Sequence, residues 1–429
     1  MTATSIEKAP AAPASLSDGG TDSGSPPRPP GKFLSGMEAL LEGMLLQRRL
    51  DADANTAAFV TGYRGSPLGG FDSLLWSNRE RLSAAKVTFK PGLNEDLAAT
   101  ACWGTQQLAL SGTPTFDGVT AYWYAKGPGV DRSGDVLKHA NFSGTMPKGG
   151  VVMFVGDDHG AKSSTVAHQS DHALLAAGIP VLYPSTIQEY VEFTTAAVAM
   201  SRFAGLWVAV KCVTETVEAS GLVDVAQART WKTPAAGRPS PVISGFQPIA
   251  VERSLFDERL PAAQAFGREN GLDRTVLDAP VRTLGIVAAG KAMVDLMEAL
   301  RLLGLDDRAA QLGIRIFKPG LVWPLTREPA IAFCRGHAEI LVVEEKRGLI
   351  EDQLAGMLLG LDPGEQPALT GKRSPDGARL LPDSGEIRID HEFDEFLEAC
   401  LRLPAELGLR FRRIADEEID LRRTLVAGV

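Results

Sequence analysis

The chain has 429 residues, 44% of them hydrophobic and 23% charged, with 44 basic against 53 acidic side chains and a net charge of −9. That is enough chain for two or three cored globular domains, and a mildly acidic balance without a basic run excludes nucleic acid or an anionic membrane as an expected partner. No apolar stretch approaches a membrane span, and Cys102, Cys212, Cys334 and Cys400 form no CxxC pair, so no iron–sulfur cluster is expected on this chain.

Residues 1–31 are rich in Ala, Pro, Ser and Gly and lack the apolar core of a signal peptide. They read as a disordered lead-in to a cytoplasmic protein. From residue 35 to about 215, short apolar runs alternate with helix-length segments. Strands are predicted at 56–61, 87–89, 119–125, 151–155, 180–183 and 206–213, with helices at 97–110 and 187–201 among them. Strands buried on both faces and separated by helices give an α/β fold with a mostly parallel sheet. The rhythm fades over 218–281, which reads as a connector with its own helix at 253–270. A second α/β rhythm follows: strand 284–290, helix 292–303 and strands 314–317 and 340–344. The remainder, 366–429, reads as a tail with a helix at 394–400. The domains are therefore expected at 32–217 and 282–365.

Candidate chemistry gathers where predicted strands end. Gly62-Tyr63-Arg64-Gly65-Ser66-Pro67 follows the first strand, where glycines let backbone approach a ligand. Lys90-Pro91-Gly92-Leu93-Asn94-Glu95-Asp96 turns a strand into a helix. Here Asn94 suits an N-cap, and acidic residues in the first turn suit the helix dipole. Lys126, at the end of the third strand, has the chemistry to fix a carboxylate as a point charge; a solvated strand-end lysine is the alternative. Asp157, Asp158, Ser163 and Ser164 lie in the next strand-end loop. His168 and His172 are spaced one helical turn apart, but no third zinc ligand accompanies them, so they read as helix-surface histidines and no metal site is expected. The strand–Gly–helix turn at 285–291 lacks the GxGxxG dinucleotide fingerprint.

Together these segments resemble the pyrimidine-binding domain of thiamine diphosphate (ThDP) dependent 2-oxoacid:ferredoxin oxidoreductases, most closely the indolepyruvate branch. The 62–67 stretch is similar to that family's Gly-Tyr-Pro-Gly-Thr-Pro, with Arg64 replacing Pro and Ser66 replacing Thr. The 156–164 stretch is similar to its Gly-Asp-Asp segment with a double serine. Residues from 282 onward resemble the transketolase C-terminal-like domain that follows in the same family. The resemblance implies that Glu95 activates the cofactor by bonding its aminopyrimidine ring, and that Gly62, Tyr63, Gly65, Asn94, Asp158, Ser163 and Ser164 line the cofactor. It further implies that Ser66 and Lys126 contact substrate.

The family's Mg²⁺–diphosphate motif is not seen in this chain. The expected assembly is thus an α-type half whose ThDP is shared with a diphosphate-binding partner subunit, which holds the Mg²⁺. Oxidative decarboxylation of an aryl pyruvate to an acyl-CoA, with electrons passing to ferredoxin or a similar acceptor, is the implied reaction. The alternative is a non-catalytic or truncated α/β subunit serving as a scaffold.

Overall fold

A computed structural model describes residues 31–387, apart from residues 111, 226–228, 236, 240–246, 303, 306–307 and 375. The lead-in before Gly31, Cys400 and the helix expected at 394–400 lie outside the described residues. In chain order the strands are β1 (Lys32–Ser35), β2 (Thr56–Gly62), β3 (Val87–Phe89), β4 (Gly118–Lys126), β5 (Val151–Asp157), β6 (Val181–Leu182), β7 (Trp207–Val213) and β8 (Ser220–Val223). They continue as β9 (Arg274–Leu277), β10 (Leu284–Ala288), β11 (Ile314–Lys318), β12 (Leu321–Trp323), β13 (Glu339–Val343) and β14 (Ala368–Thr370).

The larger sheet has the order β12-β6-β7-β5-β4-β2-β3, and all its pairings are parallel except that of β12 with β6. Its central strands read Ala-Tyr-Trp-Tyr-Ala, Val-Val-Met-Phe-Val and Trp-Val-Ala-Val, and these stretches are fully buried. β-branched and aromatic residues suit a pleated surface covered on both faces. Helix Gly36–Leu50 is started by a reciprocal cap between Ser35 and Glu38. It crosses closely over helix Ile187–Ala204 at Gly43, where a Cβ would lie 2.7 Å from Thr194 Cβ.

The second sheet has the order β14-β13-β10-β11-β9, with only β9 antiparallel to its neighbour. Its alternate residues serve two cores. Val287, Ile340 and Val342 join the core of the larger sheet, whereas Leu284, Ile286, Ala288, Leu341 and Val343 form a second cluster with Leu296 and Ile314.

The predicted strands of the larger sheet are all present, some one or two residues longer or shorter. The helix expected at 97–110 starts at Glu95 and ends at Thr105, where Gln106 turns its side chain back to donate to Val119 O and accept from the Gly150 N–H. Within 253–270 a wider π-type turn over Ser254–Arg259 runs into helix Leu260–Glu269. Residues 218–281 contribute β8, which pairs with β1, and β9, which joins the second sheet. β12 is the larger departure. It follows the second region's β11, yet hydrogen-bonds to the edge of the first sheet.

Candidate active site

The registers Gly62↔Tyr124, Lys126↔Gly156 and Asp157↔Val213 bring the carboxyl ends of β2, β4, β5 and β7 side by side. Open parallel sheets bind ligands along this edge. Gly62 has no room for a side chain, since a Cβ would lie 2.1 Å from Tyr124 O. At Gly65 a Cβ would meet Lys126 Cδ at 2.7 Å, so the lysine stem lies across this glycine, next to Ser66. Tyr63 is partly exposed and donates its N–H to Tyr124 O. The structure thus brings Gly65, Ser66 and Lys126 together.

Beside them, Gly92 N donates to Gly62 O at 2.9 Å, docking the 91–94 turn onto the end of β2. Asn94 caps the next helix by accepting from Leu97 N at 2.9 Å. Glu95 begins that helix and is only 7% exposed. Its carbonyl accepts a 3.1 Å bond from the Trp123 indole N–H. The carboxylate faces helix Gly127–Arg132, where a Cβ on Gly129 would lie 2.6 Å from Glu95 Cγ. Arg132 Nε stands 3.9 Å from Glu95 Oε2, and among the described residues no hydrogen bond is donated to this carboxylate. Leu93 and Leu97, two residues to either side of Glu95 in the chain, are exposed.

Asp158, Ser163 and Ser164 lie further along the same edge. The Asp158 carboxylate accepts from Lys162 N and Ser163 N, both at 2.9 Å, and so holds its own loop in shape. Burial alone would raise its pKa, but these N–H groups keep it below the usual carboxylate value. Ser163 is exposed and Ser164 partly so.

His168 is not a helix-surface histidine. It precedes helix Asp171–Ala176, and its ring is held between Asp131 (Nε2 to Oδ2, 2.7 Å) and Asp157 (Nδ1 to Oδ1, 3.5 Å). The one-turn spacing misleads because residues 159–170 form an irregular loop instead of continuing a helix. His172, in the helix, is half-buried.

Deeper in, Asp157 accepts from Ser170 N and Ser170 Oγ (2.6 Å) and lies 3.6 Å from Lys211. Lys211 in turn pairs with Asp171 at 2.5 Å. The second sheet closes over this group. Glu345 accepts from His159 Nδ1 at 2.6 Å and pairs with Lys291 at 3.0 Å, all three side chains being buried. The Gln169 side chain exchanges two hydrogen bonds with the Arg347 backbone.

Burial would raise the Glu345 pKa, but His159 and Lys291 bring it down to about 2. A cavity of about 30 Å³ remains, lined by His159, Tyr183, Lys211, Asp171 and Glu345. His159 Nε2 and Tyr183 OH have no partner there, and the space suffices for a water. Sequence reasoning passed over this group, although a lysine inside the apolar strand Trp207–Val213 was a usable signal.

Among the described residues no cluster of three or more His, Cys, Asp or Glu is arranged to hold a metal, and no helix is long and apolar enough to cross a membrane.

Residues 273–397 match the family model described as the indolepyruvate ferredoxin oxidoreductase middle domain. Indolepyruvate oxidoreductase subunit IorA of Methanothermobacter marburgensis is 24% identical over 72% of this chain and 47% of its own length. The IorA subunit of Pyrococcus abyssi is 23% identical over 79% of this chain and 49% of its own. The chain therefore spans about half the length of the curated relatives it matches. Among solved structures, a 2-oxoglutarate:ferredoxin oxidoreductase from Magnetococcus marinus, with 2-oxoglutarate, coenzyme A and succinyl-CoA bound, superposes with a TM-score of 0.57 at 14% identity. That superposition covers 80% of this chain and 62% of the other, and it shows a shared fold. The matched domain and the curated relatives thus make the chain similar to indolepyruvate oxidoreductase IorA subunits over about half of their length.

Proposed function

We propose that this chain is the α-type, pyrimidine-binding half of a ThDP-dependent 2-oxoacid:ferredoxin oxidoreductase acting on an aryl pyruvate such as indolepyruvate. The observation that carries the reading is the Glu95 carboxylate: buried, without a hydrogen-bond donor among the described residues, and set at the carboxyl edge of a parallel sheet. The surroundings fit one face of an aminopyrimidine ring. Gly129 has no Cβ to crowd the acid. When bound, the cofactor supplies the carbanion chemistry that decarboxylates a 2-oxo acid.

The chain's own residues bind, orient and hold a proton. Glu95 shares a proton with the ring nitrogen of the pyrimidine, which a carboxyl group in a water-poor site does well. Lys126, whose stem lies over Gly65, and the adjacent Ser66 orient the substrate carboxylate. Gly62, Tyr63 and Gly65 bring backbone close to the cofactor. The 158–164 loop, held by the Asp158 cap, walls the cleft. A diphosphate-binding polypeptide supplies the Mg²⁺-bound half of the site, with CoA and ferredoxin as co-substrate and electron acceptor.

The test is reconstitution with such a polypeptide and assay of indolepyruvate-dependent reduction of ferredoxin. Glu95→Gln keeps the shape but cannot share the proton in the same way. It should cost about 10²- to 10⁴-fold in kcat. Undiminished turnover in this variant removes the catalytic assignment.

A further inference from the structure

We propose that His168 is a positioning residue: its ring, clamped between Asp131 and Asp157, seats the helix Gly127–Arg132 so that Gly129 and Arg132 hold the Glu95 carboxylate in place. The proposal rests on the catalytic reading of Glu95 given above and adds to it the element that aims that side chain.

The helix is a spacer with an ionisable side chain on either side. A Cβ at Gly127 would lie 2.0 Å from His168 Nδ1, and one at Gly129 would lie 2.6 Å from Glu95 Cγ. Gly129 lies inside the helix, where a glycine costs about 1 kcal/mol against alanine, so it serves close approach instead of helix stability. The last residue of the helix, Arg132, carries the cation nearest Glu95, at 3.9 Å. Asp131, immediately before it, receives His168 Nε2 at 2.7 Å.

On its other side the imidazole is anchored to something that cannot move. Asp157 is fully buried at the end of β5 and is fixed by Ser170 N and Oγ. His168 Nδ1 lies 3.4 Å from Ser170 Oγ and 3.5 Å from Asp157 Oδ1, and only the doubly protonated ring presents an N–H toward both carboxylates at once. A displacement of the 127–132 helix would therefore separate a charged pair at Asp131 and shift the wall against which Glu95 rests.

The charged groups facing this clamp are Asp131 from the helix, Asp157 from β5 and, behind Asp157, Lys211 from β7 with its partner Asp171. His159 and Lys346 also act on Asp157 through their charge. The Asp157 carboxylate, opposed by burial and assisted by Asp131, raises the His168 pKa above the ordinary imidazole value of 6.5. A raised histidine pKa means that the clamp is complete below about pH 6.5 and is lost as pH rises through the higher folded-state value.

Two measurements test the proposal. In the reconstituted complex with indolepyruvate as probe, kcat of the wild-type protein should fall on the alkaline side above the ordinary imidazole range. His168→Gln should lower kcat by about 10- to 100-fold, as expected when a catalytic group is misaligned by about an ångström. It should also abolish the alkaline limb and leave the KM for indolepyruvate within about two-fold. In the free chain, proton–carbon NMR of the His168 ring should titrate above the ordinary range, and Asp131→Asn should bring that titration down.

A wild-type kcat and pH profile in His168→Gln would overturn the proposal. So would a His168 ring that is neutral at pH 6.5, or one indifferent to Asp131→Asn. Glu95→Gln separates the two readings. If it retains full turnover, the catalytic reading fails while the NMR still decides whether the clamp exists. If it is inactive and His168→Gln is unaffected, only the positioning role is lost.

Discussion

A Cβ at Gly129 would sit 2.6 Å from Glu95 Cγ and 2.9 Å from Ala125 Cβ, so Gly129→Ala has to displace a crowded side chain. Helix propensity favours alanine by about 1 kcal/mol, whereas overpacking costs about 1–3 kcal/mol. We expect a net destabilisation near 1 kcal/mol in chemical denaturation, and a melt unchanged from wild type would show that the pocket yields freely. At this scale Glu95 was legible from its place in a strand–turn–helix signal. The capping reading of this turn holds at Asn94, while Trp123 and Gly129 draw Glu95 inward. The partners of His168 and Lys211 were not legible, because Asp131 and Asp171 lie 37 and 40 residues away in sequence, and spacing within one segment carries no sign of them.

Glu344 shows what a strand end does for the element that follows. Its carboxylate accepts from the backbone of Leu349, Ile350 and Glu351, each at 3.0 Å, and so serves the unpaired N–H groups that open helix Ile350–Leu358. Burial nonetheless raises its pKa from 4.5 to about 7. The protonated form is thus favoured on folding, and the associated stability is present below pH 4.5 and lost as pH rises toward 7. Glu344→Gln cannot ionise. Its stability relative to wild type should therefore improve by up to roughly 3 kcal/mol across that window, and parallel pH curves for the two proteins would refute the assignment.

Elements buried on both faces were readable in the chain, because a long run of apolar side chains is stable only where water is kept from both sides of it. β1, β8, β9, β12 and β14, of three or four residues each, were not among the expected strands.

Across the whole molecule the two sheets share a core, with Val287, Phe317, Ile340 and Val342 packed together with the residues of the larger sheet. One cooperative unfolding transition is expected for residues 31–387, and two separated transitions in calorimetry would contradict it. Glu345 is a buried ionic tie between the sheets, joining Lys291 beside β10 to His159 beyond β5. Removing its charge leaves the buried Lys291 ammonium without this partner, so Glu345→Gln should lower stability by about 3 kcal/mol or more. A urea midpoint within error of wild type would mean that the tie contributes nothing net.

The placement of β12 has a consequence for how the protein is made. β6, only two residues long, has its outer edge covered by Leu321–Trp323, a stretch that leaves the ribosome well after β7 has been synthesised. At about 5–20 residues per second, the nascent first sheet waits several seconds with an open, apolar strand edge. That interval is when a chaperone or a neighbouring nascent chain has its best opportunity to bind.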